Sequence, residues 1–109
     1  MKTIYEDNPC GGVGRMRIDM LLGEDELKDK CRMFARVTLH PGDVLGFHVH
    51  NWNGECYYIL SGEGVYDDNG VKRTVRAGDV TWTPDGKGHG LSNADGKENI
   101  VFVALIINS

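Results

Sequence analysis

Apolar and polar positions alternate along this chain in short runs broken by glycines, a period of two that predicts strands rather than helices. Residues 15–22 alternate and stop at Gly23, and residues 32–39 read as a core strand closed by the turn His40-Pro41-Gly42-Asp43. The charged stretch between them, residues 24–30, reads as an exposed connection with room for one helical turn. Residues 44–50 form a further strand, and Glu55 opens another that continues through the β-forming residues 56–60. Residues 65–67 and 71–75 flank Asp68-Asn69-Gly70, whose Asn-Gly pair predicts a hairpin. After the turn Ala77-Gly78-Asp79, residues 80–83 and 89–93 read as strands joined by a loop. Residues 100–107 are apolar at every position, which predicts a strand buried on both faces. Roughly ten short strands joined by tight turns, without a long helix, predict an all-β barrel or sandwich.

Two segments of this pattern carry the candidate chemistry. The first is Gly42-X5-His48-X-His50-X4-Glu55-X6-Gly62; the second is Gly78-X5-Pro84-X-Gly86-X2-His89-X3-Asn93. His48 and His50 are two apart, so on a strand their side chains leave the same face. Glu55 follows after the loop Asn51-Trp52-Asn53-Gly54, and His89 can join only through the tertiary fold. Three imidazoles and one carboxylate suit a divalent transition metal, with iron, manganese, nickel, zinc and copper all compatible, and leave coordination positions open.

Both segments match the two cupin motifs at every fixed position, and from Gly42 to Asn93 the chain resembles that family. Ten specified residues at set spacings, drawn from residue types used at roughly 2–7% each, leave negligible room for coincidence. The resemblance implies a double-stranded β-helix, or jelly-roll barrel, as a single domain over residues 1–109. Residues 1–31 would supply an N-terminal strand and connection, and 32–109 the barrel. It also implies that His48, His50, Glu55 and His89 are the metal ligands, none of them replaced. The family spans dioxygenases, decarboxylases, isomerases, epimerases, lyases and proteins without known catalysis, so the fold does not name the reaction.

Strand parity extends the site. Tyr57 and Ile59 share the parity of Glu55, and Leu91 and Asn93 that of His89, so all four are expected to point inward, with Asn93 bonding backbone. Trp52, in the loop between ligands, is expected either to form a lip over the pocket or to pack on its neighbour. Arg36 would bind an anionic substrate if inward and be a solvated charge if outward. His40 is expected to be a surface turn residue. Cys56 adjoins Glu55 but should point away from the metal.

Charge and composition narrow the partners. Twelve basic and sixteen acidic residues are interspersed at a net charge of −4, with no basic patch to follow a phosphate backbone, so no nucleic acid is expected. No apolar run reaches the ~18 residues of a membrane span, and the acidic, polar N-terminus is unlike a signal peptide. Cys10, Cys31 and Cys56 are separated and form no CxxC pair, which fits reduced thiols and a cytoplasmic location. No serine or cysteine nucleophile stands beside a base, and no catalytic residue is assigned. The expectation is a metal-dependent enzyme of dioxygenase, lyase or isomerase type acting on a small polar, oxygen-rich molecule. The alternative is a non-catalytic, metal-dependent binding protein for a sugar or organic acid. A homodimer is expected, partly by resemblance, because the N-terminal and C-terminal strands would leave edges to cover; the segment before Gly23 would add a strand or cover to its neighbour.

Overall fold

Alternation becomes two facing antiparallel sheets in the computed structural model, which describes all 109 residues. The strands are β1 (Lys2–Asp7), β2 (Arg15–Met20), β3 (Cys31–Leu39), β4 (Val44–Val49), β5 (Asn53–Ser61), β6 (Glu63–Asp68), β7 (Val71–Arg76), β8 (Val80–Thr83), β9 (Gly88–Ser92) and β10 (Ile100–Asn108). One sheet has the order β1-β2-β3-β10-β5-β8 and the other β4-β9-β6-β7. The charged connection contains one short helix, α1 (Glu24–Leu27), as its composition predicts. The hairpin turns at Asn69 and Gly70, both with positive φ, which an Asn-Gly pair accommodates with little strain. This is the jelly-roll barrel that the motifs imply.

The core lies between the sheets. Ala35, Val37 and Leu39 of β3, Tyr57 and Ile59 of β5, and Phe102 of β10 are all at most 3% exposed. Each alternates with an outward neighbour, as a period-two pattern requires. Asn93 caps this core: its buried side-chain amide donates to the carbonyls of Leu39 and Glu98, at 3.0 and 2.9 Å. The turn before β4 is thereby tied to the segment before β10.

Two expectations about β10 are corrected, and the orientation of Arg36 is settled. β10 is not an edge; it runs between β3 and β5, and only Ile100, Phe102 and Ala104 on its inner face are fully buried. Its outer residues Val101, Val103 and Leu105 are half-buried, so its apolar character on both faces does not mean burial on both. Arg36 points outward, because β3 sends Ala35 and Val37 into the core. Its guanidinium donates to Asp19 Oδ2 at 3.1 and 3.2 Å, where Thr3 Oγ1 and Arg17 Nε also bond the Asp19 carboxylate. Hydrogen bonding from Thr3, and then from the two arginines, holds this buried carboxyl below its ordinary pKa in spite of desolvation.

The first fourteen residues hold an element that patterning does not disclose. β1 pairs with β2 along its whole length, yet all six of its residues are exposed. A 3-10 turn, Pro9–Gly11, then lays the chain across β4. Added Cβ atoms on Gly12 and Gly46 would collide with the backbone of Val44 and Cys10, so only glycines permit this approach. The crossing brings Glu6 and Cys10 to the mouth of the barrel.

Candidate metal centre

Four side chains from three strands and one strand end meet inside the barrel. His48 lies on β4 and His50 just beyond it, Glu55 on β5 and His89 on β9. A register shift in β4 assists: Leu45 pairs with Leu91 but His48 with His89, so β4 has one extra residue. That bulge turns His48 to the same side as Leu45, since both line the central cavity.

The three imidazole Nε2 atoms converge on one carboxylate oxygen. Glu55 Oε1 lies 2.9 Å from His50 Nε2, 2.9 Å from His89 Nε2 and 3.8 Å from His48 Nε2. The ligand atoms of all four residues lie within 4.8 Å of one another. His89 is fully buried, and Glu55 and His50 are nearly so.

Each imidazole is held by its other nitrogen. His48 Nδ1 donates to the Gly46 carbonyl at 2.8 Å, and His50 Nδ1 donates to Asn53 Oδ1 at 2.6 Å. Both partners can only accept, so the proton sits on Nδ1 and the Nε2 lone pair faces inward. Asn53 is itself fixed by donating Nδ2–H to the Asn51 carbonyl at 3.2 Å. His89 Nδ1 lies 2.9 Å from both the Tyr66 and Thr83 hydroxyls, either of which can accept its proton. Three inward lone pairs and a carboxylate with no cation between them would repel one another, and His50 Nε2 is only 3.0 Å from His89 Nε2. The donor set therefore fits one divalent ion.

The electrostatics agree. Burial alone would raise the Glu55 carboxyl, but when the imidazoles carry protons on Nε2 in place of an ion, their attraction, closest from His50 and His89, outweighs it and keeps the group far below the usual carboxylate range. Its bond to Glu55 is the largest influence on His50, which is raised. Burial is the largest on His89, which is lowered and so stays neutral. Desolvation, with Glu55 next, drives Tyr57 well up, so its phenol remains protonated. That phenol stacks on His89, with ring centroids 4.7 Å apart, and its oxygen lies 3.3 Å from His89 Nε2.

A cavity of about 530 Å³ opens from this cluster, within the range of small-molecule sites. Tyr57 lines it; Ile59 and Leu91 are buried in the core instead, at 0% and 1% exposure. Trp52 forms no lip: it is 81% exposed and lies outside the cavity wall. Arg36 is turned to the opposite face of its sheet, where Asp19 holds it. His40 is a surface turn residue bonded to Asp43 at 3.1 Å. Cys56 is not in the cluster, and all three cysteines are unpaired. Tyr66 and Thr83, which hold His89 Nδ1, lie outside the residues that the motifs and ligand parity single out. Thr83 is readable in retrospect, since it has the inward parity of a strand whose register sets it opposite Glu55. Glu6, Cys10, Arg32 and Asn53 also line the cavity and carry no comparable sequence signal.

Residues 35–106 match the model of the cupin domain, and the chain belongs to that family. It is 42% identical over 100 residues to an oxalate-binding protein of Thermotoga maritima, covering 92% of this chain and 82% of that one. A crystal structure of a predicted oxalate decarboxylase from Thermotoga maritima superposes with a TM-score of 0.94 at 38% identity, covering 100% of this chain and 94% of that one. An oxalate decarboxylase of Arthroderma benhamiae is 36% identical over 76 residues, covering 65% of this chain but only 18% of that protein. This is a cupin related to oxalate-binding and oxalate decarboxylase-like proteins, with a cluster able to hold a metal. No helix is long and apolar enough to cross a membrane.

Metal uptake must displace protons from this cluster. Because Glu55 favours protonated His50, competition by protons should set in above the ordinary histidine value of ~6.5 and grow as the pH falls. Manganese or zinc affinity, measured by competition with a chelator from pH 8 to pH 5, should drop steeply across that interval. His50→Ala should abolish most of it while His40→Ala leaves it unchanged. A flat profile, or equal losses in the two variants, would contradict the centre as described.

Proposed function

We propose that this cupin holds one divalent metal ion at His48, His50, Glu55 and His89 and uses it to bind a small dicarboxylate, oxalate being the candidate that its relatives supply. One observation carries the proposal: three imidazole nitrogens and one carboxylate oxygen are pre-set around a single point beside a cavity open to solvent. Neutral imidazoles and one carboxylate leave a divalent ion with net positive charge, so the loaded centre attracts anions. The bound ion supplies Lewis acidity toward carboxylate oxygens. The chain's own residues do the rest. Gly46, Asn53, Tyr66 and Thr83 keep the imidazoles oriented, so little reorganisation accompanies loading. Met16, Ile18, Val37, Leu45 and Phe102 form an apolar wall that thins the water around the ligand and strengthens its electrostatic contacts.

Turnover is the second reading, and Tyr57 favours it. Its protonated phenol lies within reach of the ligand space and can donate a hydrogen bond there. Calorimetry with manganese-loaded protein should register oxalate binding that disappears on chelation and in Glu55→Ala. Production of formate and carbon dioxide from oxalate would assign a lyase; binding without product would assign a receptor. Absence of any oxalate binding by fully loaded protein would overturn the proposal.

We also propose a homodimer, and place its contact on the outer face of the larger sheet rather than on the β1 edge. Tyr58, Leu60, Val80 and Trp82 are 44–59% exposed there, adjoining the half-buried Val101, Val103 and Leu105. A second copy covers such a patch with the same residues, as two-fold pairing requires. Leu60→Glu should convert the dimer to a monomer in sedimentation at micromolar concentration while leaving metal affinity intact. A wild-type monomer would refute the pairing.

A further inference from the structure

Two arginines on β3 have opposite fates. Arg36 faces outward and is paired with Asp19 through Nε and Nη2. Arg32 stands where the strand's alternation fails. β3 and β10 keep one register from Leu39–Ile100 to Met33–Ile106, but Ile107 then pairs with Cys31. Arg32 is thus an extra residue with no partner on β10, the signature of a β-bulge, which can re-aim a side chain. Arg32 and its neighbour Met33 both line the metal-centre cavity, although consecutive residues of a regular strand leave opposite faces.

Arg32 is the one lysine or arginine in the cavity wall. It enters no ion pair and no side-chain hydrogen bond, so its guanidinium donors are all available. Glu6 also reaches the wall without pairing to it. Arg32 is itself exposed, so its guanidinium stands at the open side of the cavity, where an entering anion meets it. A planar fork of donors, unpartnered and facing a cavity whose base attracts anions, matches carboxylate geometry.

We infer that Arg32 selects ligands carrying a second carboxylate: the centre takes one part of the anion, and the guanidinium meets oxygens left facing the cavity mouth. The inference rests on the proposed binding of a small dicarboxylate and adds the residue that discriminates it from a monocarboxylate. Dissociation constants for oxalate and for glycolate, measured by calorimetry on manganese-loaded wild type, R32Q and R32K, test it. R32Q should weaken oxalate about 10- to 100-fold, the range of a lost charge-assisted contact, and glycolate by less than about threefold. R32K should fall between, keeping the charge but not the fork. Manganese affinity of the metal-free protein should not fall in R32Q, because Arg32 is not one of the four ligands. Equal effects on the two anions, no effect on oxalate, or weakened manganese binding would each overturn the role of Arg32. Wild type that binds manganese but not oxalate would instead sink the binding proposal itself, and this inference with it.

Discussion

Everything chemical in this barrel depends on three imidazole nitrogens being aimed, lone pairs inward, at one buried carboxylate oxygen. The arrangement is electrostatically poor without a cation, and the fold nevertheless enforces it from behind. A backbone carbonyl, a side-chain amide and a pair of hydroxyls tie down the outer nitrogens of His48, His50 and His89. Hydrophobic burial of the two sheets supplies the rigidity that keeps the four ligand atoms gathered around one point. The same bonds that lower the Glu55 carboxyl make the site an efficient competitor for protons, coupling occupancy to pH.

Much of this centre was legible in the sequence, for a definable reason. Ligands on strands obey a period of two, and glycines and a proline at fixed distances mark where the strands end. His48 and His50 share a face by that spacing, the match to the cupin motifs adds Glu55 and His89 as ligands, and parity turns Tyr57 inward and Cys56 out. What the sequence does not disclose lies where periodicity is broken or silent. Arg32 reaches the cavity through a bulge, which no alternation rule anticipates, whereas Arg36 on the same strand lies between the inward Ala35 and Val37 and faces out. β1 is exposed along its length and so carries no hydrophobic pattern. The turn at Pro9–Gly11 reaches the mouth through glycine-to-backbone contacts between distant segments, Gly12 and Gly46. Trp52 invited a functional reading by its size and position, but a loop residue with φ of 70° points where its backbone sends it, here to solvent.

The two faces of the larger sheet divide the protein's tasks. Its inner face lines the cavity and supplies Glu55 and Tyr57; its outer face, apolar around β5, β8 and β10, is where the proposed pairing would seat a second copy. Because strands alternate, substitutions on one face need not disturb the other, and binding and assembly can be separated by mutation.

The central claim is that one ion occupies the point where the four side chains converge, with no rearrangement of the groups behind them. A crystal structure of manganese-loaded protein, with anomalous data at the metal edge, tests this directly. The account predicts a single anomalous peak bound through Nε2 of His48, His50 and His89 and a carboxylate oxygen of Glu55. The Nδ1 bonds to Gly46, Asn53 and the Tyr66–Thr83 pair should be retained. A peak ligated by other residues, coordination through Nδ1, or a fully loaded protein with this cluster empty would contradict it.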